Sequence, residues 1–423
     1  METEQKKNYT LPIVMMIALF GMISFVTNLA APMGVVVKEQ FQVSNFGGML
    51  GNFANFLAYA FMGIPAGMML KKIGYKNTAL IAILVGFTGV LVQYLSGVFG
   101  SFEIYLVGAF IAGFSMCMLN TVVNPMLNTL GGYGKKGNQL IQTGATFNSL
   151  MGTLVPVLVG MLVGEVTKET AIVDVNPVLF IAMGIFFMVG VVLFFVNIPE
   201  PHVEKKSVKY EHSPWAFRHF VLGAIAIFLY VGIEVGVPGT MNLFLTDAKG
   251  FAGSASEAGL VTGTYWFLML VGRFVGASVG AKISSKTMLA AASGVGILLV
   301  VTAIFLPTSI LVNIPVFKSD LSFGMAEVPV NAMLFVLVGL CTSIMWGGIF
   351  NLAVEGLGKY TEQATGIFMA LVVGGGILPL IQNYVADVAG FMTSYWVIVV
   401  ALAYLLYYAL VGSKNVNKDI PVE

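Results

Sequence analysis

Apolar residues run in long blocks along this chain, broken by charges or by clusters of glycine, proline and asparagine. Twelve blocks reach the roughly 20 residues that a helix needs to cross a bilayer core. They cover 11–37, 46–70, 77–98, 103–130, 139–164, 178–198, 217–245, 255–281, 286–306, 330–356, 361–386 and 392–412. The pattern predicts an all-α membrane protein of twelve transmembrane helices. The longest strongly charged interval, IPEPHVEKKSVKYEHSPW at 198–215, separates the sixth block from the seventh. It predicts an N-terminal six-helix bundle over 1–198, a cytoplasmic linker over 199–216 and a C-terminal six-helix bundle over 217–423.

The two halves repeat one another weakly. Gly63 and Gly67 at the end of helix 2 match Gly272 and Gly276 at the end of helix 8. NPMLNTLGG in helix 4 matches NLAVEGLG in helix 10, setting Asn124 against Asn351 and Asn128 against Glu355. GTLVP in helix 5 matches GGILP in helix 11. Three matches in order indicate two pseudo-symmetric bundles, a common transporter plan. Residues 307–329 form a long insertion between helices 9 and 10, a surface loop or a partial lid.

Composition agrees: 58% of residues are hydrophobic and 10% charged, against about 25% charged in soluble chains. A net charge of +1 and the absence of a dense basic run exclude nucleic acid as a partner. The polar N-terminus METEQKKNYT leads into an apolar block with no small-residue cleavage site, which fits a retained helix better than a signal peptide. With both termini in the cytoplasm, sixteen Lys and Arg fall inside and four outside, Lys38, Lys168, Lys249 and Lys318, while Arg273 lies within a span. The positive-inside rule therefore favours that orientation, in a bacterial inner membrane. Cys117 and Cys341 lie in apolar blocks and read as core residues. His202, His212 and His219 gather in the central loop and its exit and read as solvated. There is no GxxxxGK[ST] or HExxH pattern, so neither ATP-driven transport nor metal chemistry is suggested, and no cofactor is expected. No paired acids or nucleophile–base set appears in the spans, which argues against an enzyme.

Polar residues within the spans carry the candidate chemistry. Asn120, Asn124 and Asn128 recur at i, i+4 and i+8, one face of helix 4. Asn52, Asn55 and Tyr59 share a face of helix 2. Glu234, in FLYVGIEVGVPG, lies well inside helix 7. An intramembrane acid is costly and faces a cavity or a partner, as a hydroxyl acceptor or a coupling group, the alternative being a structural acid bonded to a neighbouring helix. Trp266 and Trp346 lie mid-helix, away from the ends where tryptophan belts form. Gly374, Gly375 and Gly376 stand in a row in helix 11, and Pro125, Pro156 and Pro379 add bends.

These features resemble the major facilitator superfamily, within it the fucose–galactose–hexose branch whose type member is the L-fucose:proton symporter. The resemblance rests on FVTNL (25–29), GIPAGMMLKKIGYK (63–76), NTVVNP (120–125), TFNS (146–149), YVGIEV (230–235), VGRFVG (271–276) and VGGGILPLIQ (373–382). It implies two six-helix bundles around a central cavity, and it makes Lys71 and Lys72 gating residues, with Arg273 and Glu355 as either a second inner latch or a solvated interface pair. It also implies acids in helices 1 and 4 that this chain lacks: Ala31 and Asn120 stand there, and Ala145 replaces a glutamine. The coupling ion is therefore not carried over.

Sugar sites combine amides with aromatic faces. The candidate lining is Asn28, Asn52, Asn55, Tyr59, Asn120, Asn124, Gln142 and Asn148 from the first half. From the second it is Tyr230, Glu234, Tyr265, Trp266, Trp346, Asn351, Gln382 and Asn383. For any single amide, the alternative is a helix–helix hydrogen bond. The expectation is a monomeric secondary transporter in the lipid bilayer that imports a monosaccharide, a hexose, by alternating access. Glu234 would couple it to a co-transported proton or sodium ion. Uncoupled facilitation, and export of amphipathic compounds, are the alternatives.

Overall fold

A computed structural model describes residues 9–130, 134–163, 170–198, 211–247, 250–280, 283–318, 322–417 and 419–422. Twelve helices among them are long and apolar enough to cross a membrane. In chain order they are α1 (Thr10–Phe41), α2 (Leu50–Leu70), α3 (Lys72–Phe99), α4 (Phe102–Leu130), α5 (Gly134–Val163) and α6 (Asn176–Phe195). Then follow α7 (Arg218–Thr246), α8 (Ala255–Gly280), α9 (Ser285–Phe305), α10 (Val330–Val354), α11 (Gly366–Ala389) and α12 (Phe391–Gly412). Most of the expected linker, 199–210, lies outside the described residues.

Each break has a local cause. Ser44 caps a single helical turn, Asn45–Gly48, by accepting the Gly47 N–H at 3.2 Å, which separates α1 from α2. Just inside the start of α3 the backbone turns at Gly74, with φ 84° and ψ 174°, a region open in practice only to glycine. α10 is interrupted at Ser343–Ile344, and α11 by a 3₁₀ turn at Leu371–Val373.

In the first six helices α1 packs on α4 and α5, and α6 on the α2–α3 pair; in the last six α7 packs on α10, α11 and α12, and α9 on α10 and α12. Among the described residues the two sets meet where α5 packs on α8, α2 on α11 and α1 on α7. Helices approach closely where glycines remove side chains. A Cβ on Gly374 would fall 1.9 Å from the Phe228 carbonyl oxygen, so only glycine lets α11 lie this close to α7.

The 307–329 insertion has regular structure among its described residues. It forms a β-hairpin, β1 (Leu311–Phe317) paired antiparallel with β2 (Phe323–Pro329), with Leu311 opposite Pro329 and Phe317 opposite Phe323. Ile314, Val316, Ala326 and Val328 are buried. The hairpin docks on α8: Phe317 stacks on Phe267 at 4.9 Å, Phe323 meets the same ring at 5.5 Å, and the Phe317 N–H donates to Thr264 Oγ1 at 3.1 Å.

Candidate substrate and coupling site

α7 and α8 bring the site's charges together. Tyr230 and Glu234 are one helical turn apart on α7 and share a face. Arg273 on α8 approaches that face, its Nη2 3.6 Å from Glu234 Oε1, with both side chains 15% exposed. That distance is an ion pair rather than a hydrogen bond. The other arm of the guanidinium crosses to α5: Nη1 donates to the Ala145 carbonyl and to Ser149 Oγ, both at 2.6 Å. One arginine thus ties an acid of the last six helices to the backbone of the first six. Tyr265 braces the acid from behind, donating to the Glu234 carbonyl at 3.3 Å and meeting Thr342 Oγ1 at 3.0 Å.

This pairing corrects the expected latch between Arg273 and Glu355. Glu355 follows the last residue of α10 and is exposed, whereas Arg273 points into the α5–α7–α8 seam. What Glu355 does supply is a backbone carbonyl, 2.9 Å from His219 Nε2. His219 is fully buried, so it is not the solvated residue that its neighbourhood in sequence suggested; His212 is exposed, and His202 lies outside the described residues. Lys72 is exposed, while the side chains of Lys71 and Gln142 lie outside the described residues.

Aromatic and amide groups flank the ion pair. Trp266 packs edge-on to Tyr265, ring centroids 5.5 Å apart. A Cβ on Gly152 of α5 would lie 3.2 Å from the Trp266 ring and 3.3 Å from Asn28 Nδ2. The indole of one helix set and the carboxamide of the other therefore flank a single side-chain-free point on α5. Asn28 donates to the carbonyl and hydroxyl of Ser24, each at 2.9 Å; Ser24 in turn bonds the Asn148 carbonyl, and Asn148 donates to Phe20 O at 3.3 Å. On the other side Trp346 lies between Tyr230 and Phe368, at centroid distances of 6.2 and 6.1 Å.

The α4 stripe is only partly free to meet a solute. Asn120 donates to Tyr59 Oη at 3.0 Å and to Met116 O at 3.1 Å, and Asn124 to Asn120 O at 2.9 Å. The Asn128 side chain lies outside the described residues. A carboxylate at position 120 has no N–H to offer Tyr59, so the amide reverses the direction of that bond. Both asparagines are half-buried. Other candidates are engaged in packing: Asn52 donates to Gly375 O at 2.8 Å, Asn55 to Ala109 O at 3.4 Å, and Asn383 to Thr240 Oγ1 at 3.0 Å and Pro379 O at 2.8 Å. Gln382 is fully buried, and Asn351 is exposed.

The structure thus gathers Asn28, Asn148, Tyr230, Glu234, Tyr265, Trp266 and Arg273 along the seam. It adds Ser149, Thr342 and the Ala145 carbonyl, which the sequence reading missed. Ser149 directly follows Asn148 in TFNS and was within reach of that reading; a backbone carbonyl has no sequence signal.

The Major Facilitator Superfamily model matches residues 13–378. The glucose/galactose transporter of Brucella abortus biovar 1 (strain 9-941) is 32% identical, over 98% of this chain and 97% of that protein. A putative glucose/galactose transporter of Helicobacter pylori (strain J99 / ATCC 700824) is 29% identical, over 97% and 99%. The L-fucose-proton symporter of Escherichia coli (strain K12) is 22% identical, over 91% and 89%. Among solved structures, the transporter FucP in the outward conformation superposes with a TM-score of 0.69 at 20% identity, covering 96% of this chain and all of that one. A bacterial homologue of human lysosomal Spinster, inward-facing and occupied, gives 0.67 at 13%, covering 96% of each chain. With its twelve membrane-spanning helices and a family match over most of its length, the chain belongs to the major facilitator superfamily.

Proposed function

We propose that this transporter imports a hexose, glucose or galactose by analogy with its relatives, across a bacterial inner membrane. Residues 1–198 and 217–423 rock about the 199–216 linker, with both termini in the cytoplasm. The observation that carries the reading is the Arg273 fork, which joins Glu234 on α7 to Ala145 and Ser149 on α5. A group that bridges both helix sets in one conformation must let go when they separate, which is what alternating access requires.

Substrate chemistry is supported by what flanks the fork. Indole and phenol rings offer faces to the apolar side of a sugar, and carboxamides both donate to and accept from hydroxyls. An exporter of amphipathic compounds would want an apolar lining instead. Coupling runs through Glu234. A proton on its carboxylate, or a sodium ion beside it, weakens its hold on Arg273 and leaves the guanidinium bound to α5 alone. Uncoupled facilitation is the second reading, favoured specifically by Asn120, whose amide is committed to Tyr59 and has no proton to release.

Uptake of labelled glucose, galactose and L-fucose into proteoliposomes, with proton or sodium gradients imposed or collapsed, tests the reading. Accumulation that follows one gradient supports coupled import. Equilibration that ignores both gradients identifies a facilitator. No sugar-specific uptake under any condition overturns the proposal.

A further inference from the structure

Several links between the two helix sets gather at the end of the molecule where α1 and α7 finish. Lys38, in the last turn of α1, forms an ion pair with Asp247, which follows α7. Asp387, near the end of α11, accepts two backbone N–H groups from the turn after α1: Asn45 N at 3.0 Å on Oδ1 and Phe46 N at 2.8 Å on Oδ2. The rings of Phe46 and Tyr384 meet edge to face at 6.1 Å. Asp387, Tyr384 and the Gly375 carbonyl that holds Asn52 all belong to one segment, Gly374–Ala389.

Within its own helix set the segment packs on α7, where Asn383 bonds Thr240 Oγ1 at 3.0 Å. The 3₁₀ turn at Leu371–Val373 changes the hydrogen-bond pattern of α11 just before it, and Pro379 removes one hydrogen bond within it. Gln382 at its centre is fully buried, and neither of its amide atoms has a hydrogen-bond partner among the described residues. Its Oε1 would lie 2.7 Å from a Cβ on Gly236 of α7, so the amide is pressed against that helix. An unpaired buried amide opposes whichever conformation buries it.

We propose that Gly374–Ala389 is a local gate, latched shut by Asp387 on the Asn45 and Phe46 N–H groups and driven toward opening by buried Gln382. The proposal rests on the alternating-access reading, but it concerns the segment and needs no solute to test. If the segment moved only with its whole helix set, Gln382 would stay pressed on α7 in every state and would not influence the equilibrium. Local motion slides it off α7 into water.

Spin-label distances on the full chain in nanodiscs read this directly, in a Cys117→Ala/Cys341→Ala background. One pair, Val173→Cys with Val388→Cys, joins the first helix set to the segment; both residues are exposed. A second pair, Val173→Cys with Thr308→Cys, joins it to the body of the other set. Asp387→Asn turns one acceptor into a donor facing an N–H. It is expected to raise the separated population of the first pair about tenfold, the worth of one charge-assisted hydrogen bond, and to leave the second pair unchanged. Gln382→Met, of similar length but apolar, is expected to lower that population. Asp387→Glu, which displaces the carboxylate by one methylene, serves in place of Asp387→Asn if that variant does not fold, with the same expected direction. The local gate is overturned if both pairs shift together, if neither shifts, or if Gln382→Met matches the parent.

Discussion

Replacing Glu234 with glutamine is the sharpest test of the site. The substitution keeps the side chain's size and removes its charge. At 3.6 Å and an effective dielectric of about 20, the Glu234–Arg273 attraction is on the order of 5 kcal/mol before desolvation. Both side chains are 15% exposed, and Arg273 keeps its two bonds to α5, so the net loss is smaller, about 1–3 kcal/mol. Both residues belong to the last six helices, so that energy reaches the conformational equilibrium only through the aim it gives Arg273 at Ala145 and Ser149 of α5, the bonds that part when the sets separate. Glu234→Gln is therefore expected to shift the conformational equilibrium, by at most roughly 5- to 150-fold, and to uncouple the cycle. Two assays on the same proteoliposomes separate these effects. Accumulation of labelled sugar against a gradient is expected to disappear, while counterflow exchange, which needs binding and reorientation but no driving ion, persists. Accumulation equal to the parent would refute the role of Glu234 in coupling. Loss of both accumulation and counterflow, with accumulation retained in Glu234→Asp, would recast it as a sugar ligand.

Other perturbations follow from particular contacts. Gly152→Val places methyls between Trp266 and Asn28, where a Cβ alone already sits at 3.2–3.3 Å; transport is expected to fall at least tenfold and the melting temperature to drop by the equivalent of about 1–3 kcal/mol, read by uptake and thermal unfolding in parallel. Gly74→Ala forces a Cβ into a backbone region near φ 84° and is expected to cost about 1–3 kcal/mol, seen as a lower melting temperature in detergent. Phe267→Ala removes the ring that holds Phe317 and Phe323; a loss of roughly 3 kcal/mol is expected with the sugar preference unchanged, and a changed preference would mean that the hairpin belongs to the site.

The twelve spans were legible because bilayer thickness imposes a length on apolar runs that composition alone reveals. Glu234 stood out for the same reason: an acid inside such a run is costly unless something holds it. The polar stripes were equally visible, but their meaning was not. Asn52, Asn55 and Asn383 look like lining residues on a helical wheel, yet each is spent on a carbonyl or hydroxyl of a neighbouring helix. Which helix lies alongside is invisible to periodicity. The insertion at 307–329 stayed undecided for another reason: two prolines fall in its strands, and their pairing and their packing on Phe267 are tertiary facts.

Local sequence determined the number of spans, their breaks at Ser44 and Gly74, and the presence of a buried acid, because each follows from the chemistry of a few consecutive residues in lipid. Tertiary structure alone decided the partners. It gave Arg273 to Glu234 and α5 rather than to Glu355, buried His219 against the end of α10, and set Asp387 on two backbone N–H groups more than three hundred residues away. Such pairings depend on which helix faces lie side by side, and that is settled by packing across the whole bundle rather than by any one stretch of chain.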